Sequence, residues 1–399
     1  MLIKNSFIYL GTEIINKAIP FLLLPIITRY LTPEEYGIYG IYQVIISFFT
    51  PFISMSLDIN ITRNFFKVSK EKLSSILNSL IIILHLNLFI GLIIIYIISL
   101  FFENPFGLPS NILLIMPIII FVQTINSFNL TILRNKQKAM QYGVFQIILT
   151  SINFSLTLLL LLVFHQNWQS LVYGVLISHS ILMIYSLYYL KIKYKLSFKL
   201  YPLKEIYKIS LPLIFHLLGG SIIFLSDRLF IQQMLGLKEV GLYSIGNQFG
   251  MITMIIVNSI IVAINPWMYK KLADKINIQK EIYALMGLFI IIGIVVWLSS
   301  LFIFPYMVDN NYKSAKQVIF WISMAFVFRG WYQIYYNIVL DAGKTNIFMY
   351  ITFGAGIINL ILNYFLIKLN GMIGAAQATV VAFFTMFGLT ALYTKKSFY

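Results

Sequence analysis

Apolar residues run through this chain in long stretches interrupted at short intervals by charged residues, proline or glycine. One crossing of a bilayer core needs about 20 apolar residues at 1.5 Å rise per residue. The breaks leave twelve such stretches, near residues 6–29, 38–61, 76–102, 111–133, 143–164, 168–190, 209–234, 241–265, 282–305, 316–340, 346–367 and 372–394. The connections between them are short. The pattern predicts an all-α integral membrane protein of about 12 transmembrane helices with no extramembrane domain. Lys4 ahead of the first stretch imitates the charged start of a secretory signal. That stretch runs on to Thr28, contains Pro20 and Pro25 and lacks a small-residue cleavage pattern, so it reads as the first span.

Charge then orients the spans. Basic residues cluster in alternate connections: Arg63, Lys67, Lys70 and Lys72; Arg134, Lys136 and Lys138; Lys191 to Lys208; Lys270 to Lys280. With Lys4, Lys344, Lys395 and Lys396 this side holds 21 basic residues against five opposite, Arg29, Lys238, Lys313, Lys316 and Lys368. The positive-inside rule places both termini in the cytoplasm. The net charge of +16 is therefore topological and implies no nucleic-acid partner. Hydrophobic residues make up 60% and charged residues 11%, too few to give 399 residues a water-compatible surface. With no cysteine there is no disulfide framework, zinc–thiolate site or thiol nucleophile. No metal cluster, phosphate-binding glycine loop or nucleophile constellation occurs, and no cofactor is expected.

The longest basic connection divides the spans six and six, predicting an N-terminal bundle over 1–190, a linker over 191–208 and a C-terminal bundle over 209–399. An internal repeat supports this division at an offset of 204: Leu31-Thr-Pro-Glu-Glu-Tyr-Gly-Ile-Tyr39 aligns with Leu235-Gly-Leu-Lys-Glu-Val-Gly-Leu-Tyr243. Both copies are expected in the first periplasmic loop of their half. A weaker echo pairs residues 133–138 with 340–345. Six spans per half make the repeat parallel, which predicts two parallel-related six-helix bundles around a central cavity.

The stretches Arg29 to Tyr39, Leu57-Asp-Ile-Asn-Ile-Thr-Arg63 and Asp227 to Tyr243 resemble the polysaccharide-transport branch of the multidrug/oligosaccharidyl-lipid/polysaccharide exporter superfamily, particularly Wzx-type O-antigen flippases. The resemblance implies a flippase moving undecaprenyl-diphosphate-linked oligosaccharide units, of O-antigen or capsule type, to the periplasmic leaflet by alternating access. Its implied partners are that glycan lipid, membrane lipid, and polymerase and chain-length regulator proteins.

A charge at bilayer depth costs roughly 2.5–3.5 kcal/mol on insertion scales, so each such residue is a functional candidate. Glu13, Lys17, Asp58, Asp227, Arg228 and Arg329 lie within spans, and Arg63 borders one. Only five arginines accompany 24 lysines, which makes their placement informative. Arg329 shares a helix face with Tyr332, Gln333 and Tyr336, a combination suited to a diphosphate beside a stacked sugar. Lys17, Arg63, Arg228, Arg329, Tyr332 and Tyr336 are the expected substrate-binding residues. Glu13, Asp58 and Asp227 are the expected ion-coupling residues, toward H+ or Na+. Glu13 and Lys17 also have the i, i+4 spacing of a self-neutralising pair.

His85, His179 and His216 read as packing residues, and Gly371, Gly374, Ala375 and Ala378 as a close-packing stripe. Prolines 20, 25, 51 and 212 are candidate kink positions. Two other functions compete: a drug/cation antiporter of the same superfamily, disfavoured by arginines within spans, and a glycan polymerase, disfavoured by the short periplasmic connections.

Overall fold

The computed structural model describes residues 2–194, 199–274, 276–341 and 347–398; the side chains of some further helical residues, Glu13, Lys17 and His216 among them, fall outside the described set. Among the described residues all the regular structure is helical: α1 (Leu2–Leu22), α2 (Leu24–Tyr30), α3 (Pro33–Ser54), α4 (Asp58–Asn64), α5 (Lys70–Phe101), α6 (Ser110–Asn135), α7 (Ala139–Leu162), α8 (Gln169–Tyr194), α9 (Leu203–Leu235), α10 (Leu237–Ala273), α11 (Gln279–Met307), α12 (Lys316–Asp341), α13 (Ile347–Asn370) and α14 (Met372–Phe398). Short 3-10 turns occupy Pro105–Gly107 and Asn310–Ala315. The pair α1–α2 fills the first expected span and α3–α4 the second, so twelve helical runs answer to the twelve apolar stretches. Nine described segments are long and apolar enough to cross a membrane. The chain is an all-α, multi-pass membrane protein.

Its outer faces are those of a protein solvated by lipid. On α5, Leu86, Phe89, Ile90, Ile93 and Ile97 are exposed, while Ile76, Leu77, Leu80, Ile83 and Leu84 are fully buried. Hydrocarbon rewards both faces equally, so the inner one is selected by packing and by hydrogen bonds between helices.

Two predicted spans are broken, and each break has a local cause. Pro25 has no N–H to offer the carbonyl one turn earlier, and the helix is interrupted at Leu23. Between α3 and α4, Met55 and Ser56 adopt φ of 48°, a left-handed conformation that residues with a Cβ rarely take. Pro212, by contrast, leaves α9 unbroken.

The chain divides into two compact units, Met1–Leu23 with Ile41–Leu218, and Leu24–Gly40 with Gly219–Tyr399. This division runs through α9 and assigns the α2–α3 turn to the second unit. In the first unit α6 and α8 are joined by a polar ladder: Asn126 Nδ2 donates to the His179 carbonyl at 2.9 Å, and Ser186 Oγ donates to Asn126 Oδ1 at 2.8 Å. The segment leading into α9 is tied to α5, where Ser79 Oγ donates to the Tyr201 carbonyl and accepts from its N–H. Asn60 on α4 donates to Ser210 on α9 at 2.9 Å.

The internal repeat lies in the second unit, and its two copies meet. They are helix starts and not the loops expected. Thr32 and Glu35 form a capping box at the head of α3, with the Thr32 N–H donating to Glu35 Oε2 at 2.8 Å and the Glu35 N–H to Thr32 Oγ1 at 3.2 Å. The other copy uses Gly236, at φ of 99°, to end α9 and begin α10. A Cβ on Gly37 would overlap the Leu237 carbonyl, and a Cβ on Gly241 would overlap the Pro33 carbonyl. Each pair member lies 204 residues from its counterpart, so the contact is reciprocal. The glycines that align in sequence are the points where the two helices touch.

Gly37→Ala or Gly241→Ala must therefore push α3 and α10 apart, at a cost of about 1–3 kcal/mol. Thermal unfolding of the purified protein should show a lowered midpoint for each, and a double variant falling short of the summed loss because the helices have already separated. Gly287→Ala, where a Cβ meets open space, is expected to leave the midpoint unchanged.

Candidate functional site

Helices α1, α6, α7 and α8 of the first unit enclose a cavity of about 560 Å³ lined by Tyr9, Thr12, Asn16, Arg134, Tyr142, Gln146, Leu149, Thr150, Asn153 and His179. That volume lies in the range of small-molecule sites. Nine of these ten residues carry a polar group. The wall is held together by its own members: Thr150 Oγ1 donates to Asn16 Oδ1 at 2.9 Å, and the Tyr9 and Tyr142 rings meet edge to face at 5.1 Å. Gly143 lets α7 approach Thr12 closely, since a Cβ there would crowd its hydroxyl. The buried Tyr9 hydroxyl has no hydrogen-bond partner among the described residues, although buried polar groups are nearly always paired. Arg134, in the last turn of α6, is the single cation among the described lining residues.

Amides, hydroxyls, an imidazole and tyrosine rings around one guanidinium make a surface that donates and accepts in many directions. Such a lining matches the hydroxyl-rich, uncharged body of a sugar, with the guanidinium suited to phosphate.

Of the residues expected from the sequence to form the site, those whose side chains are described lie outside the lining of this cavity. Glu13 and Lys17 belong to α1, with side chains outside the described residues. Arg63 is exposed on α4. Asp58 begins α4, where its carboxylate accepts from its own backbone N–H, from that of Ile59 and from the Thr131 hydroxyl, within the field of Arg134. It sits in the first turn of α4, where a carboxylate favours the positive end of the helix. Arg329 is half-buried on α12. Tyr332, 8% exposed, and Tyr336 pack with Ile351, Ala355, Phe383 and Met386 in the apolar seam between α12, α13 and α14. Tyr336 also lies against Phe348, with ring centroids 4.2 Å apart.

Asp227 and Arg228 are brought together in the second unit, 2% and 5% exposed. They point to different partners, as a 100° separation on the helix requires. Arg228 Nε donates to Ser244 Oγ at 3.1 Å. The Asp227 carboxylate accepts from three neutral donors: Tyr243 Oη at 2.6 Å, Thr379 Oγ1 at 2.8 Å and Asn363 Nδ2 at 2.9 Å. Asn363 Nδ2 also reaches Asn359 Oδ1 at 3.1 Å, to which Ser226 Oγ donates at 3.4 Å. Asn363 Oδ1 and Asn359 Nδ2 are buried without partners among the described residues. Turning the Asn363 amide over would exchange its donor for an acceptor, so the same residues can serve a carboxylate, a protonated carboxyl or a small cation.

Neutral residues dominate the described lining of both sites, and among the described side chains a search for charges at bilayer depth finds Asp227 and Arg228 there. The findable signals were the polar residues recurring along α1 and α7, namely Thr12 and Asn16, and Gln146, Thr150 and Asn153. Arg134 also carried one, as the single arginine in a lysine-rich turn. Of the three histidines expected to serve packing, His179 lines the cavity and His85 lies edge-on to Phe121 at 4.7 Å.

The polytopic helical chain thus holds a polar chamber in one unit and a buried carboxylate, Asp227, in the other. It shares its fold with an inward-facing multidrug resistance MATE transporter of the MOP superfamily, at a TM-score of 0.76 and 14% identity over 96% of each chain. The lipid II flippase MurJ in an inward closed conformation gives the same score, with 16% identity over 99% of this chain and 88% of that one. The chain belongs to the polysaccharide biosynthesis protein family, whose model matches residues 2–272. The MatE family model also matches, over residues 212–365. Among curated sequences, Lsg locus putative protein 1 of Haemophilus influenzae is 28% identical over 289 residues, spanning 70% of this chain and 69% of that protein. The superfamily expected from the motifs is the one found.

Tyr243→Phe removes one of three donors to a buried carboxylate, and a hydrogen bond to a charged group contributes about 1.5–3 kcal/mol. Thermal or denaturant unfolding of the purified variant should register a loss of that size. Tyr332→Phe, at the apolar seam, should lose less.

Proposed function

We propose that this protein is a flippase that carries an undecaprenyl-diphosphate-linked oligosaccharide from the cytoplasmic to the periplasmic leaflet of a bacterial inner membrane, both termini facing the cytoplasm. The observation that carries this reading is the first-unit cavity, whose lining of amides, hydroxyls and tyrosines around Arg134 suits a sugar joined to a phosphate. Membership of the polysaccharide biosynthesis family supports the glycan, and the fold shared with transporters supports translocation by alternating access without a catalytic step. The asymmetry of 21 basic residues against five supports the orientation. Polymerase and chain-length regulator proteins are the partners such a step would feed.

In this reading the Asp227 cluster is the coupling site. A carboxylate ringed by Tyr243, Thr379 and Asn363, with the Asn363 Oδ1 acceptor unused, can take up H+ or Na+ as the transporter changes state. The MatE match and this buried acid also favour a second reading, export of small amphiphilic cations.

A deletion strain of the source bacterium separates the two. Under the flippase reading, completed undecaprenyl-linked units accumulate on the cytoplasmic face and surface polysaccharide is lost. Complementation with Arg134→Ala or Asp227→Asn is expected to restore less than a tenth of the surface glycan at normal protein levels. Unchanged glycans together with increased sensitivity to cationic drugs would move export to first place.

A further inference from the structure

A second cavity lies in the first unit, apart from the polar chamber. Its volume is about 360 Å³ and it is lined by Phe65, Val68, Lys70, Leu73, Lys136, Lys193 and Tyr194. The three lysines come from three separate places in the fold: Lys70 from the first residue of α5, Lys136 from the turn after α6, and Lys193 from the last turn of α8. They are more than 50 residues apart in sequence and converge only through packing. No carboxylate is among the described residues lining the cavity. Glu71, the nearest acid in sequence to Lys70, is exposed and bonds back to Ser69.

Lys136 is fixed in place. Its Nζ donates to the Tyr189 hydroxyl at 3.3 Å and stands 5.0 Å from the Tyr194 ring centroid and 5.6 Å from that of Tyr189. Cation–π contact of this kind holds an ammonium where it is partly desolvated. Burial, then the charges of Lys193, Lys138 and Lys70, push its pKa down to about 8. Like charges gathered without a counter-charge oppose folding, and an anion shared among them reverses the sign of that interaction.

The rest of the lining selects the type of anion. Phe65, Val68 and Leu73 form an apolar wall beside the ammonium groups, and Phe66 next to them is 77% exposed. All these residues sit at helix ends, the depth at which a bilayer presents its phosphates and basic side chains meet them. A ligand with a phosphate on one side and hydrocarbon on the other fits both halves. We infer that this pocket binds the phosphate headgroup of an anionic phospholipid, as a lipid site separate from the cavity assigned to cargo. The phosphate bridges Lys70, Lys136 and Lys193, and the glycerol and upper acyl carbons lie against Phe65, Val68 and Leu73.

The site is independent of what the transporter carries, so its test uses binding alone. Full-length protein, purified and delipidated in a neutral detergent, is titrated with phosphatidylglycerol while its thermal midpoint is followed; a ligand that binds only the folded state raises it. Phosphatidylcholine and inorganic phosphate are run in parallel. The expected result is a saturable rise with phosphatidylglycerol only, and a half-saturating concentration at least ten-fold higher in Lys136→Gln. The paired Lys70→Gln/Lys193→Gln variant changes two exposed side chains and leaves Lys136 and its aromatic contacts in place. It should show the same loss, which keeps the result readable if Lys136→Gln folds poorly. An equal rise with phosphatidylcholine, an equal rise with inorganic phosphate, or undiminished affinity in the paired variant would each overturn the assignment.

Discussion

A hydroxyl, amide or carboxylate that leaves water for hydrocarbon must find its partner inside the protein, and the described structure is organised around meeting that requirement. The ladder of Asn126, Ser186 and the His179 backbone joins α6 to α8. Asn60 and Ser210 join α4 to α9, and Asp58 in the first turn of α4 accepts from the Thr131 hydroxyl. Apolar contacts cannot replace these links, because lipid tails solvate leucine as well as another leucine does. Among the described residues the pairing is incomplete at the Tyr9 hydroxyl and Asn363 Oδ1, and also outside both sites, at Asn129 Oδ1, Thr253 Oγ1 and Ser323 Oγ.

Close approach is the second organising element. Gly37 and Gly241 allow two helix starts to touch backbone to backbone, and Gly246 and Gly250 bring α10 against Val318 and Ile322 at the head of α12. Near the same crossing, the Tyr36 hydroxyl accepts from Gln248, and Arg228 donates to Ser244, whose hydroxyl lies close to Gly40. Tyr312 donates to the Leu31 carbonyl at 2.9 Å and holds the turn before α3. The region joining the two repeat copies is therefore continuous with Arg228, and Asp227 next to it belongs to the proposed coupling cluster. A change of charge on Asp227 acts on a neighbourhood with little free volume, which is the physical condition for a local event to shift packed helices.

Much of the architecture is legible in the sequence because it rests on one-dimensional signals. Apolar run length marks the helical stretches, and the offset of 204 marks two equivalent segments, although it reads as two loops and does not show that they meet. The division of polar residues between structure and site is not legible in that way. Ranking residues by the cost of burying charge selected Arg329, and helical spacing added Tyr332 and Tyr336, which the structure packs with Ile351, Ala355, Phe383 and Met386. The same ranking passed over Thr12, Asn16, Gln146 and Asn153, which cost little singly and line a chamber only when α1 and α7 are side by side. Arg134 was counted among topological charges because linear position placed it in a basic turn. Its membership of the cavity depends on the direction of one side chain. The lysine pocket was hidden for a similar reason, since Lys70, Lys136 and Lys193 read separately as positive-inside markers.

The central claim is that the first-unit chamber holds the sugar of a lipid-linked glycan, and placing a photoreactive benzophenone side chain at Gln146 tests it most directly. Membranes carrying this variant, and a second one substituted at Tyr336, would be irradiated in cells whose undecaprenyl-linked glycan is radiolabelled in the sugar. The account predicts labelled adducts from position 146 and far fewer from position 336. Labelling confined to position 336, or adducts at 146 that contain phospholipid and no sugar, would contradict it.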